Sequence, residues 1–271
     1  MARMPRPRAL VTGHTGFLGP FAVAELSASF DVTTVARSGG DVQADLSDPT
    51  AVAAVVAAVQ PDFVLWLAAN ARIADCERDA DAARRINAEA PSRMARGLGP
   101  RFLYVSTDLV FDGRAAPYAP LDATGPLSAY ASTKADGEER VLAEGGRVAR
   151  LPLLFGPDRA ARGATAMVRN ALARGEPLSL FTNEYRTPIH CRDASRALSA
   201  LLPQTGGPRI AHLGGPERVS RWELGQMLCL VHGLPTGLLR PAECQDPLRP
   251  RDVSLRSEFA CRELGEMLAD C

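Results

Sequence analysis

Along this chain, short unbroken apolar runs alternate with stretches in which apolar residues recur at helical spacing. Arg8 to Val11 is the first run, and it stops at Thr12-Gly13-His14-Thr15-Gly16-Phe17-Leu18-Gly19, after which Ala22, Val23, Ala24 and Leu26 follow a helical period. A strand, a tight glycine turn and a helix are predicted there. A second strand spans Val32 to Ala36, and Asp48-Pro49 opens a helix to Val59, because an acceptor side chain followed by proline is a helix-start signal. The runs Phe63 to Ala68 and Phe102 to Val105 lack polar alternation, as expected of strands covered on both faces of a parallel sheet. Helices are predicted at about Ala80 to Leu98 and Tyr130 to Ala143, with another strand from Val148 to Phe155. This alternation specifies an α/β fold on a doubly wound parallel sheet, Rossmann-like in type.

Beyond Gly156 the rhythm loosens. Helical patterns recur at Thr165 to Ala173, Arg192 to Leu202, Trp222 to Leu228 and about Ser257 to Leu268, with a short strand at Ile210 to Leu213. Pro235, Pro241, Pro247 and Pro250 predict a loop-rich stretch covering the mouth of a site.

Composition narrows the classes. Of 271 residues, 46% are hydrophobic and 23% charged, which excludes a disordered or collagenous chain. The 31 basic side chains balance 31 acidic ones, leaving no general field for nucleic acid or an anionic membrane. No apolar run approaches the roughly 18 residues of a spanning helix. The opening residues lack the apolar stretch of a secretion leader, so the expected location is cytoplasmic. Six scattered cysteines without a Cys-x-x-Cys pair predict free thiols and no metal site. Among the basic residues one is lysine, Lys134, and the rest are arginine.

That lysine lies four residues after Tyr130 in a predicted helix, so the two share one face a turn apart. Tyrosine ionises near 10 in water, and a cation about 4 Å away at an effective dielectric near 20 is worth roughly 4 kcal/mol. A phenol so placed serves as a general acid near neutral pH. Ser106-Thr107-Asp108 follows directly on the run Phe102 to Val105, at the carboxyl end of a strand, and the Thr107 hydroxyl can donate to a carbonyl oxygen. Gly13, Gly16 and Gly19 bare the backbone amides at a helix N-terminus, where a pyrophosphate can approach. Closing the second strand are Arg37 and Ser38, where an arginine accommodates a 2′-phosphate and an acid would instead accept the ribose hydroxyls. Asn70 and Asn87 read from spacing alone as turn or cap residues.

TGHTGFLG, Leu67-Ala68-Ala69 with Ala74-Asp75-Cys76-Glu77, STDLVFDG from Ser106 to Gly113, and PLSAYASTK from Pro126 to Lys134 carry a resemblance. It continues through Arg150-Leu151-Pro152, Phe155-Gly156-Pro157 and Arg249-Pro250-Arg251-Asp252 with Leu255. As a set they resemble the extended short-chain dehydrogenase/reductase superfamily, nearest to dTDP-4-dehydrorhamnose reductase-like, sugar nucleotide-binding proteins. The resemblance implies reduction of a 4-keto nucleotide sugar, with NADP(H) as the preferred cofactor on the strength of Arg37 and NAD(H) as the other choice. It places catalysis on Thr107, Tyr130 and Lys134. Cofactor contacts fall on Gly13, His14, Thr15, Gly16, Phe17, Leu18, Gly19, Arg37, Ser38, Asp45, Leu46, Ala68, Ala69, Asn70, Tyr130 and Lys134. Substrate contacts fall on Ser106, Asp108, Arg186 and Arg249, with Arg251 beside them. Expected organisation is an NAD(P)-binding domain over residues 1–177, completed by about 189–214, and an interwoven substrate lobe of 178–188 and 215–271. The expected partners are a small nucleotide sugar and a second copy in a homodimer. One departure is Leu109, where family members commonly carry a substrate-side tyrosine. Two other readings stand beside the reductase: a non-catalytic regulatory subunit resembling that of methionine adenosyltransferase, and an epimerase or dehydratase that retains NAD.

Overall fold

The computed structural model of the chain describes residues 5–157, 160 and 163–271; residues 1–4, the start of the stretch read for a leader, lie outside them. Two compact units result: Met1–Ser106 with Ser128–Ala149 and Ser195–Ala211, and Thr107–Leu127 with Arg150–Ala194 and His212–Cys271.

In the first unit the chain runs β1 (Arg8–Thr12), α1 (Gly19–Leu26), β2 (Asp31–Ala36), β3 (Val42–Gln43), α2 (Pro49–Val59) and β4 (Phe63–Trp66). It continues as α3 (Ile73–Arg78), α4 (Ala80–Arg84), a π-helical turn at Arg85–Glu89, α5 (Ala90–Ala95), β5 (Phe102–Thr107), α6 (Ala129–Ala143) and β6 (Arg147–Leu151). The seven-stranded sheet has the order Ile210–His212, β6, β5, β4, β1, β2, β3. Leu10 of β1 lies in parallel register with Thr33 of β2 and Val64 of β4. The strand order therefore reverses between β1 and β4, and the carboxyl ends of those strands flank the crevice where such sheets bind ligands.

The reason the apolar runs become central strands is burial. Leu10, Val64, Trp66, Phe102 and Tyr104 are each fully buried in one core cluster with Val35, Met94, Val141 and Val148. α2 starts where Asp48 accepts from the Thr50 amide beside Pro49, and it ends at Gln60, a left-handed residue at φ 47°. Arg147 is a surprise for an arginine: only 1% exposed, it donates to the carbonyls of Pro100, Leu201, Leu202 and Gln204 at 2.6–3.1 Å. It ties the chain after the helix Cys191–Leu201 to the edge of the core, where a helix carboxyl end favours a cation.

Short strand pairs build the second unit: Leu154–Phe155 with Ile189–His190, Tyr185–Arg186 with Val219–Ser220, and Leu178–Phe181 with Leu239–Ala242. Helix Arg221–His232 is started by a reciprocal Ser220–Glu223 capping box and ended by Gly233 in the left-handed region.

Four predicted elements differ. The strand expected from Val148 to Phe155 is cut after Leu151, because Pro152 has no amide to continue the ladder. The helix expected over Ala80 to Leu98 contains the π-helical turn. The proline-rich stretch holds the strand Leu239–Ala242, which tolerates Pro241 in a two-stranded pairing. The last helix begins at Leu264 rather than Ser257.

Candidate active site

The glycine turn leaves β1 at Gly13, where φ 68° lies in the left-handed region and a side chain would meet the backbone of Ala68 at 2.7 Å, so both the conformation and the close approach call for glycine. Thr12, buried at the same point, accepts from the amides of Leu67 and Ala68 and so joins the ends of β1 and β4. A Cβ on Gly19 would sit 2.2 Å from the His14 carbonyl. Its absence brings the start of α1 against the loop. No side chain caps α1; its N-cap position is Leu18, and Pro20 lies in the first turn. A glycine loop feeding an uncapped helix N-terminus fits the pyrophosphate of a dinucleotide, which supplies the anion that such amides favour. His14 packs its ring against Gly40, while Arg37 and Ser38 at the end of β2 are exposed. Asp45 accepts from the amide and hydroxyl of Ser47, and these bonds, with the Arg37 charge, hold its carboxyl below the usual range. Leu46 lies in the core cluster.

Tyr130 and Lys134 occupy α6, which opens at Ser128 with a hydroxyl accepting from the Ala131 amide. Lys134 is 2% exposed and donates to the carbonyl of Val105 on β5 at 2.8 Å. Its ammonium lies 3.8 Å from the centre of the Tyr104 ring. Burial lowers Lys134 to about 7 against the pull of Glu138, so at neutral pH the amine is near half-protonated rather than a full cation. Ser106, also on β5, is buried, and its hydroxyl has no partner among the described residues.

Asn87 corrects its reading as a turn or cap. Fully buried in the π-helical turn, it accepts from the Asn70 amide at 2.9 Å and donates to the Asn70 carbonyl and the Thr133 hydroxyl, both at 3.0 Å. The segment after β4, with Ala68, Ala69 and Asn70, is thereby pinned to α6.

In the second unit, Thr107 accepts from the Leu109 amide and donates to Asp108 at 3.1 Å. Asp108 in turn accepts from Arg186 at 2.7 Å. Arg186, Arg221 and Arg249 all converge on Glu184, at 3.3, 3.2 and 2.6 Å. Burial pushes Glu184 up, yet the three guanidinium groups outweigh it and hold the carboxyl below its usual value. Asp108 goes the other way, because its burial exceeds the help of Arg186. Three guanidinium groups face two carboxylates, a surplus of one positive charge in a largely dry cluster. The Arg186 side chain is 6% exposed and engaged on both sides, whereas that of Arg249 is 29% exposed. Arg251 lies outside this cluster. Glu184 and Arg221 were not expected from sequence; neither stands in a motif, and although Glu184 is only two residues before Arg186, it is the fold that brings Arg221 and Arg249 to the same carboxylate.

The family model described as the RmlD substrate binding domain matches residues 7–269. A probable dTDP-4,6-dihydroxy-2-methyloxan-3-one 4-ketoreductase of Streptomyces antibioticus is 33% identical over 241 residues, 86% of this chain and 80% of that protein. The methionine adenosyltransferase 2 subunit beta of Danio rerio is 30% identical over 250 residues, 88% of this chain and 77% of that one. Among solved structures, the dTDP-4-dehydrorhamnose reductase of Bacillus anthracis in complex with NADP has a TM-score of 0.88 at 19% identity, covering 97% of each chain. At that identity the likeness shows the fold. Other similar structures were solved with NAD.

Proposed function

We propose, from the premise that this chain belongs to the RmlD substrate binding domain family of extended short-chain dehydrogenase/reductases, that it reduces a 4-keto nucleotide sugar with NADPH. The observation that carries the reading is Lys134, the chain's single lysine, buried at the end of β5 and one helical turn from Tyr130. A reduced nicotinamide, when bound, supplies the hydride. The loop from Gly13 to Gly19, through His14, Thr15, Gly16, Phe17 and Leu18, would hold its pyrophosphate, and Arg37 with Ser38 a 2′-phosphate. Asp45, Leu46, Ala68, Ala69 and Asn70 would line the rest of its path. Lys134 would meet the ribose hydroxyls, since its compact head carries three donors when charged. Tyr130 would give its proton to the ketone oxygen as charge develops there, and Thr107, whose single hydroxyl hydrogen rests on Asp108 in this structure, would turn that hydrogen to the same atom.

On the substrate side, the surplus charge of the Glu184 cluster suits a diphosphate. Arg249 is its most open guanidinium, and Arg186 is held in place by Asp108 beneath it. Ser106 and Asp108 complete that side. The similarity to methionine adenosyltransferase subunits favours a second reading, a regulatory subunit without turnover.

A panel of 4-keto nucleotide sugars assayed for NADPH oxidation, beside affinity capture with a methionine adenosyltransferase catalytic subunit, separates the two. Oxidation with one member supports the reductase. Stable capture with no oxidation supports the regulatory subunit. Stoichiometric NAD carried through purification would instead indicate an epimerase or dehydratase.

A further inference from the structure

Tyr104 belongs to no motif of the sequence, yet it is the residue against which Lys134 rests. The phenol is fully buried on β5, and its hydroxyl donates to the carbonyl of Asn87 in the π-helical turn. A π-helical turn displaces the local bonding ladder, and here a carbonyl within it faces the core and takes a side-chain donor. On the other side α6 crosses close above. A Cβ on Gly137 would meet the Asn87 carbonyl at 2.4 Å and the Tyr104 hydroxyl at 2.6 Å, so glycine is what permits that approach. Asn87 meanwhile binds Thr133, the residue before Lys134. The ring is therefore gripped at its hydroxyl end, and its face is presented to the amine at 3.8 Å. Burial and the neighbouring Glu138 raise the Tyr104 phenol well above its ordinary value, so it remains a neutral donor and exchanges no proton.

We propose that Tyr104 is a positioning residue for Lys134: its negative ring face holds the amine at the end of β5, and the bond to Asn87 holds the ring. A charge taken out of water needs compensation, and an aromatic face supplies part of it beside the pull of Glu138. The charged or titratable neighbours of this pair are Glu138, Asp136 and Tyr130, all on α6, with Glu138 acting on both members. The proposal deepens the reading of Lys134 as a cofactor-binding amine and rests on it.

The single lysine makes the test direct. In full-length protein labelled with lysine carrying 13C at Cε, one signal reports the titration of Lys134. Tyr104→Phe keeps the ring, and site-specific phenylalanines bearing two or three ring fluorines keep its shape while draining the negative face; Tyr104→Leu removes the face. For Tyr104→Phe, which keeps the ring face and loses only the bond to Asn87, the midpoint is expected to fall slightly. It should then fall stepwise with fluorination, by about 0.5 to 1.5 pH units at the end of the series. The same midpoint across the fluorinated series overturns the proposal, and the near-isosteric variants decide this even where Tyr104→Leu fails to fold. If the midpoint moves while the pH profile of kcat/KM with NADPH does not, the Tyr104 assignment holds and the catalytic reading of Lys134 falls.

Discussion

Burying Lys134 ought to make this protein more stable as the solution becomes alkaline, and replacing it by methionine ought to abolish that trend. In the folded chain the amine loses its proton at about 7, against 10.5 when free. Between those values the unfolded chain binds more protons than the folded one, so the free energy of unfolding rises with pH. Below 7 the burial penalty stands in full; it is relieved progressively as pH climbs towards 10.5. The whole span corresponds to roughly 5 kcal/mol, of which roughly 1.5 kcal/mol is released between pH 7.0 and 8.5. Lys134→Met keeps the unbranched stem and gives up the bond to Val105, so the variant is a volume-matched control. The assay is urea unfolding of the cofactor-free protein at both pH values, followed by tryptophan fluorescence, for which buried Trp66 is one of two reporters beside Trp222. The parent should gain about 1.5 kcal/mol relative to the variant over that interval. Cysteines and other groups titrate in both proteins and cancel in the difference. Equal gains in the two proteins would mean that the amine keeps its proton in the folded state and that its burial carries no such penalty.

Arg37→Ala should weaken NADPH binding about tenfold to a hundredfold, the worth of one charge-assisted contact, and leave NADH almost unchanged; equal losses measured by fluorescence titration would make Arg37 structural. Gly137→Ala should destabilise by about 1 to 3 kcal/mol in denaturant unfolding despite the helix preference of alanine, because its methyl group would overlap the Asn87 carbonyl. A neutral or stabilising result would show that α6 can withdraw. Arg249→Ala should raise the KM for the nucleotide sugar about tenfold or more with the cofactor dissociation constant unaltered; an unchanged KM removes Arg249 from the substrate side.

Much of the sheet was legible because its central strands are continuous apolar runs, which periodicity detects without knowledge of neighbours. Phe63–Trp66 and Phe102–Thr107 are of this kind. Tyr130 and Lys134 were equally visible, since a helix places residues four apart on one face. Pro152 could have divided the predicted strand Val148 to Phe155, as it lacks the amide a ladder needs. Other features depend on contacts between distant segments. Arg147 meets carbonyls beyond Leu201, and in an arginine-rich chain nothing local distinguishes it from a surface residue. Asn87 acts through a π-helical turn that leaves no spacing signal. Arg186 was expected as a substrate contact, and it is enclosed by Asp108, 78 positions away in sequence, and by Glu184, two positions away, an enclosure that residue spacing alone does not reveal.

Whether Tyr130 is the proton donor in a reductase is decided by following NADPH oxidation with a 4-keto nucleotide sugar for the parent protein and Tyr130→Phe. Cofactor affinity is titrated on the same samples. Removing a general acid costs about a hundredfold to ten-thousandfold in rate. Turnover should fall by that much, with the NADPH dissociation constant nearly unmoved. Full activity in Tyr130→Phe would contradict that role.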